Sequence, residues 1–556
     1  MRTPYEPRNR RRILCISPRY APSFGTFHYS YPLFGGRIRA FMPPQGLLVV
    51  AAYLPESWEV RFVDENAGAA RAEDLAWADA VFLSGMHVQR PFIEDAIARA
   101  HRAGKPVVLG GPSVSGCPEH YPGADLIQVG EIGDSTDAII RWLDEHTGRP
   151  GRQLRFDTGT RLPLTRFPLP AYHLIRLPQY FIASIQFSSG CPYSCEFCDI
   201  PALYGRNPRL KTPEQVLAEL DALVAGGALT VYFVDDNFIA NQKAALDLLP
   251  HLVQWQRRHR YPVRFACEAT LNIAKNERVL RLMREAGFHV VFCGIETPEP
   301  AALRSISKDQ NLRMPILEAV RKINDHGLEV VSGIILGLDS DTPAAADHLI
   351  EFIEASQIPM LTINILYALP RTPLWARLAA EGRLRADGGR ESNVVFRLPE
   401  ETVIAMWRRA IAAAYAPEAI YRRFAHNMAH TFPHRIAYPR NRRRAAWRNV
   451  AGGLALLGRI VWRIGVRGDY RRTFWRLAGP ALRRGQVEEL IQTAVVSHHL
   501  IEFTRQCLRG AQEASFYAPR VPTAASPPPG SGPPSPRPLH HLRPPRARLE
   551  GERVSR

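Results

Sequence analysis

The chain lacks an apolar run long enough to cross a bilayer. Its best candidate, 450–466, is broken by Arg459 and Arg463, whereas a span needs about 18 uninterrupted apolar residues. A signal-peptide core is missing too, because the apolar stretch Ile13–Ile16 stops at Ser17 and Pro18. Both absences lead us to expect a cytoplasmic protein. Cysteine is scarce, with eight in 556 residues, and this excludes a small disulfide-built scaffold. Acid is nearly missing between Arg435 and Arg484, where Asp469 stands alone against fourteen arginines and no lysine. The block adds to a formal net charge of +18 and points to an anionic surface, either phospholipid headgroups or nucleic acid. Beyond about Tyr517 the chain is rich in Pro, Ser and Arg, a composition that buries no core, so 516–556 is expected to be a disordered tail.

Against that scarcity, three of the eight cysteines fall within eight residues: Cys191-Pro-Tyr-Ser-Cys195-Glu-Phe-Cys198. Stray core cysteines do not cluster in this way. A zinc site needs a fourth ligand, and no nearby Cys-x2-Cys or His-x3-His supplies one. A disulfide is disfavoured in a chain of this size without secretory features. Three thiolates spaced by three residues and then two converge on one compact cluster. On a four-iron, four-sulfur cluster they leave one iron free for a small molecule, which can then receive an electron.

At this length two to four domains are expected. Residues 11–150 alternate short apolar runs (RRILCIS, WEVRFVDE, AVFLSG, PVVLGG, LIQVGE) with helical patterns, which predicts a doubly wound, Rossmann-like parallel sheet. Ligands bind such sheets beyond the carboxyl ends of the strands. Those ends carry Asp64, Gly85, Met86, His87, Gly110, Gly111, Gly130 and Glu131. A linker follows over 151–179. From 180 to 382 six strand candidates recur (IASIQFS, LTVYFVDD, VRFACEAT, VVFCGIE, VVSGIILG, LTINILYA), predicting a partial (β/α)6 barrel with its chemistry at the strand C-termini. The cysteine loop follows the first of them. Cys267 and Cys293 lie inside strands and read as small core hydrophobes. Residues 383–515 read as a helical, arginine-rich domain in which Tyr438, Trp447, Trp462, Tyr470 and Trp475 interleave with the arginines. Such a segment suits a bilayer interface or a solvated face packed on the barrel; nucleic acid is the weakest of the three.

The cysteine spacing, with the aromatic Phe197 before the last cysteine, resembles the signature of the radical S-adenosylmethionine (SAM) superfamily. FMPPQGLLVVAAYLP, SGMHVQRP, GGPSVSGCP, YFVDDNF, FACEATLNIAK, FCGIETPEP and SGIILGLDSDTP extend the resemblance to B12-binding-domain radical SAM enzymes, a class that includes hopanoid methylases. The likeness covers about 11–435. It implies a 4Fe-4S cluster on Cys191, Cys195 and Cys198, with SAM bound near Phe197, Asp235, Glu268, Glu296 and Ser332. Glu268 or Glu296 would take the ribose, and the backbone near Asp235 the amino group. On strand five Gly333, Ile335 and Gly337 fit the family pattern, while Ser340 replaces its glutamate. Cobalamin would lie against Pro43, Gln45, Gly46, Asp64, Gly85, Met86, Gly110, Gly111, Gly130 and Glu131. The Asp-x-His-x-x-Gly motif that supplies a cobalt ligand in other B12 proteins is absent, and His87 reads as a loop hydrogen-bonder.

The implied reaction is C-methylation of an unactivated carbon. The reduced cluster cleaves SAM to a hydrogen-abstracting radical, and methylcobalamin carries the methyl group. A hopanoid-type polycyclic lipid is the leading substrate, flavodoxin or ferredoxin the expected electron donor, and the inner membrane face a possible docking surface. Rearrangement, cyclisation or oxygenation without methyl transfer is the rival chemistry. A tRNA methylthiotransferase needs further N-terminal cysteines, and only Cys15 and Cys117 stand there. A cluster-bearing sensor is the non-enzymatic rival.

Overall fold

The computed structural model describes residues 2–385, 392–437 and 447–510. The expected tail at 516–556, Tyr438 and the arginines at 440 and 442–444 lie outside the described residues.

The first sheet holds six parallel strands: β1 (Arg12–Ser17), β2 (Glu59–Asp64), β3 (Ala80–Ser84), β4 (Val107–Gly110), β5 (Leu126–Val129) and β6 (Leu154–Asp157). Their order is β2-β1-β3-β4-β5-β6. Helices cover both faces, so β1 is apolar over Ile13–Ile16. Ile13 and Cys15 pack with Leu47 and Val49 on one side, while Leu14 and Ile16 pack with Ile93 and Ile97 on the other. Each such aliphatic side chain contributes about 1.5–3 kcal/mol. β6 corrects the expected linker. Its Leu154 and Phe156 pack against the core while Arg155 and Asp157 face outward as an ion pair. This half-exposed edge strand lacks the continuous apolar run of its neighbours.

The second sheet consists of β7 (Ala183–Ile185), β10 (Thr230–Phe233), β11 (Arg264–Glu268), β12 (Phe288–Glu296), β13 (Glu329–Leu336) and β14 (Leu361–Ile365). These strands run parallel in the order β14-β13-β12-β11-β10-β7. They are the six strands expected, ordered as consecutive β/α units. β8 (Ser188–Ser189) and β9 (Arg209–Leu210) form a small antiparallel pair that frames the cysteine loop. The first barrel helix, Pro213–Ala225, starts where Thr212 and Gln215 cap each other reciprocally, a consequence of the Thr-Pro-Glu-Gln sequence.

Helices Glu400–Ala414, Pro417–His430, Trp447–Ile460, Arg471–Arg483 and Val487–Leu508 complete the described chain. They also hold the loop leaving β1. Buried His499 lies 2.9 Å through Nε2 from the Ser23 carbonyl and accepts through Nδ1 from the Tyr29 amide. Among the described residues no helix is long and apolar enough to cross a membrane.

Candidate functional site

The three cysteines leave the β8 edge on one loop. Gly190 precedes them with φ +98°, and a side chain there would meet the Gly205 carbonyl at 2.8 Å, so only glycine admits this turn. Cys198 N–H donates to the Cys195 carbonyl at 3.1 Å, and the Gln310 amide points at Cys195 Sγ from 3.3 Å. Tyr193 accepts from Asn272 at 2.8 Å, tying the loop to the end of β11. Burial pushes the Cys191 and Cys198 thiols up, so at neutral pH they hold protons until cationic iron replaces them. Among the described residues no three His, Cys, Asp or Glu side chains are grouped to hold a single metal ion. A four-iron cluster makes no such demand, because each cysteine binds a different iron. The donor set fits that cluster.

Carboxyl groups crowd the adjoining rim. Asp235 accepts from the Phe187 and Ser188 amides, and Asp236 accepts from Gly190 N–H at 2.7 Å. Glu268 accepts from the Tyr232 hydroxyl at 3.5 Å. Burial lifts Asp235 to about 7 and Asp236 to about 6; burial and the two aspartates lift Glu268 to about 7. Glu296, at φ +68°, is held by Lys308 at 2.6 Å. Lys308 also stands 5.4 Å from the Phe197 ring centroid. Burial alone would lower the Lys308 ammonium's pKa, but Glu296, Cys195 and Cys198 outweigh it and the net shift is upward. Beside them, Asn311 donates to the Gly294 carbonyl while its own buried Oδ1 finds no protein hydrogen bond. That acceptor suits a donor-bearing ligand such as SAM.

Ser332, expected near SAM, lies inside β13. It is fully buried, donates to the Cys293 carbonyl at 2.7 Å and accepts from Ile295 N–H. Its hydroxyl is engaged inside the sheet and does not line the rim.

Several residues expected at the cobalamin face are also engaged by protein. Gln45 is buried and accepts from Ser184 and Tyr172, and its amide reaches Glu219, itself paired with Lys211. The Pro43 carbonyl accepts from the same Ser184 hydroxyl at 3.1 Å. Asp64 turns to Asn66. Glu131 bridges Arg161 at 3.1 Å and Arg209 at 2.6 Å. Gly85 packs on Ile93. Gly111 has φ +93°, and a side chain there would lie 3.3 Å from the Gly85 amide, so the ends of β3 and β4 close on each other. Gly130 has φ +104° and abuts Thr158. Open space remains at Gly46, Gly110 has only Gln128 in loose contact, and Met86 is exposed. The space beside Gly46 and Gly110 leaves their backbone approachable by a broad flat group.

His87, at the end of β3, lies 3.3 Å through Nε2 from the Tyr367 hydroxyl beyond β14. Burial, then His120 and Arg90, push it down to about 4, so it is neutral at physiological pH.

Sequence reasoning missed Lys308, Gln310, Asn311 and Arg377. All four stand in loops or short helices without a motif. Only the fold brings Lys308, Gln310 and Arg377 to the cysteine loop and Asn311 to the end of β12.

On the C-terminal surface, Val450, Leu454, Trp462, Val466, Trp475 and Leu482 are exposed. They alternate with Arg459, Arg463, Arg467 and Arg476. Tyr470, expected among the surface aromatics, is buried against Tyr421.

Comparison with known proteins agrees with this architecture. Residues 33–140 match the B12 binding domain, 185–353 the Radical SAM superfamily and 372–513 a domain of unknown function (DUF4070). The chain is 57% identical to the hopanoid C-2 methylase of Rhodopseudomonas palustris over 93% of its own length and 98% of that protein. It is 34% identical to an uncharacterized methyltransferase of Synechocystis, covering 88% and 92%. By fold it resembles the cobalamin-dependent SAM radical enzyme OxsB, with TM-score 0.56, 14% identity and coverage of 90% and 80%. The SAM methyltransferase TsrM of Kitasatospora setae gives TM-score 0.53 at 18% identity, covering 68% and 78%. The chain belongs to the B12-binding-domain radical SAM methyltransferases, the family that contains the hopanoid C-2 methylase.

Proposed function

We propose that this protein methylates an unactivated ring carbon of a hopanoid-type polycyclic lipid. The observation that carries the reading is the 57% identity to a hopanoid C-2 methylase across 98% of that enzyme, C-terminal helices included. The 4Fe-4S cluster, SAM and cobalamin supply the electron, the hydrogen-abstracting radical and the methyl group.

In this reading Cys191, Cys195 and Cys198 hold the cluster. Phe197, Lys308 and the Asp235, Glu268 and Glu296 rim border SAM, with Asn311 accepting a hydrogen bond from it. Gly46, Met86 and Gly110 face cobalamin. The two rims meet where His87 touches Tyr367, and closure there excludes water from reactive intermediates. Flavodoxin or ferredoxin is the reductant. The exposed tryptophans and arginines of 450–484 rest on the inner membrane face, where an apolar substrate resides.

The test is anaerobic turnover with reductant, SAM, methylcobalamin and a hopanoid, followed by mass spectrometry. The product gains one methylene unit, and label from methyl-labelled SAM appears in it. Deoxyadenosine formation with an unmethylated, rearranged or oxygenated product would replace this reading with its rival.

A further inference from the structure

The C-terminal region of unassigned function begins at residue 372, and its first helix, Pro373–Ala380, lies against the cysteine loop. The contact centres on Glu196, the residue between Cys195 and Phe197. Glu196 is fixed at three points. Its amide donates to the Ile306 carbonyl at 3.0 Å, and its carbonyl accepts from Leu374 N–H at 2.9 Å. Its carboxylate takes a two-pronged bond from Arg377, Nε to Oε1 at 2.5 Å and Nη2 to Oε2 at 3.2 Å. Arg377 is itself aimed. Its Nη1 donates to Asp339 at 2.7 Å, and Asp339 is gripped from the other side by Arg383. Phe197, next in the loop, packs into an apolar cluster with Leu374, Leu378, Ile306 and Leu338.

We propose that Arg377 is a positioning residue for the iron–sulfur cluster: its ion pair with Glu196 locks the loop carrying the three cysteines and balances the charge beside the cluster. The first helix of the 372–513 region is thereby part of the cluster site. A planar guanidinium matches a carboxylate at two points, and lysine does not. Groups that orient metal ligands without touching the metal change metal retention by about 10–100-fold. This inference rests on the cluster assignment above.

The test uses the full chain, anaerobically reconstituted, as wild type, Arg377→Ala, Arg377→Lys and Glu196→Gln. Two quantities are read: the rate at which a ferrous chelator strips the cluster absorbance, and the midpoint potential of the bound cluster. Arg377→Ala and Glu196→Gln are each expected to lose the cluster about 10-fold faster than wild type, with Arg377→Lys between. The potentials move in opposite directions. Arg377→Ala removes a positive charge beside the cluster, which disfavours the added electron and lowers the potential; Glu196→Gln removes a negative charge and raises it, with Arg377 still paired to Asp339. Loss rates within twofold of wild type, or potentials moving together, overturn the proposal. Should Arg377→Ala fail to fold, the near-isosteric Glu196→Gln decides alone: stripping within twofold of wild type, or a potential that does not rise, overturns it. A wild-type chain that takes up no cluster overturns the cluster assignment instead.

Discussion

The ammonium of Lys308 lies 2.6 Å from Glu296, and both side chains are more than nine-tenths buried. The family resemblance assigns Glu268 or Glu296 to the SAM ribose; the ion pair shows Glu296 as a carboxylate neutralised by Lys308. Breaking such a buried pair from one side costs about 3–5 kcal/mol because an uncompensated charge remains. Lys308→Met is therefore expected to lower the denaturation midpoint of the cofactor-free protein sharply. The double variant with Glu296→Gln should recover much of that loss. Equal destabilisation by single and double variants would show that the charge is not what matters.

Asp235, Asp236 and Glu268 share one rim with carboxyl pKa values raised to about 7, 6 and 7. In the unfolded chain they ionise near 4. Between those limits the folded state holds more protons than the unfolded state, so stability falls as pH rises from about 4 to about 7 and then levels. Calorimetry of the cofactor-free protein should show that decline, and Glu268→Gln should flatten it. A decline of undiminished slope in the variant would mean that Glu268 does not bear the proton.

Five of the eight cysteines lie in the barrel region and fall into two sets. Cys191, Cys195 and Cys198 share one loop, whereas Cys267 and Cys293 are fully buried in β11 and β12. Alanine at any of the first three should abolish nearly all bound iron and the four-iron spectroscopic signature, with helix and strand content unchanged. Alanine at Cys267 or Cys293 should leave both intact. Iron retained by the triple loop variant would end the cluster assignment.

The legibility of these features follows from how each is encoded. Strands of a covered parallel sheet are apolar at their centres, so β1, β3, β4, β5 and the six barrel strands stand out as runs, while the edge strand β2 is marked by the alternation of Val60, Phe62 and Asp64 with Glu59, Arg61 and Val63. β6 does not, because one of its faces meets water. The cysteine loop was legible because its three cysteines fall within eight residues. The rim was less so: Ser332 lies within β13 and Gln45 at the turn into a helix, and local pairing holds Ser332 inside the sheet and Gln45 in the joint with Ser184. Lys308 and Arg377 reach the loop from 110 and 179 residues beyond Cys198, a proximity that only tertiary packing creates.

His87 offers a test of the cobalt's surroundings. Its Nε2 is directed to Tyr367 at 3.3 Å, across the junction of the two sheets. Cobalamin is therefore expected to bind without a nitrogen from His87. In His87→Ala, the loading of cobalamin and the cobalt(II) paramagnetic resonance spectrum should match wild type. A nitrogen splitting that disappears in the variant would place His87 on the metal.

The C-terminal surface makes the last prediction. Leu454 is 61% and Trp462 52% exposed, unusual for large apolar side chains with arginines on either side. Arg459 is engaged with the Leu33 carbonyl at 2.5 Å, so it anchors its helix, and Arg463, Arg467 and Arg476 are the better candidates for headgroups. Each arginine near an anionic bilayer is worth about 1 kcal/mol, so replacing these three by glutamine should weaken binding to anionic vesicles by roughly 100-fold. Leu454→Ser with Trp462→Ser should weaken binding to neutral vesicles as well, since burying apolar side chains needs no lipid charge. Raising the salt should mimic the glutamine variant and leave the apolar contribution. Cosedimentation that is insensitive to both sets of substitutions would remove this face from contact with the membrane.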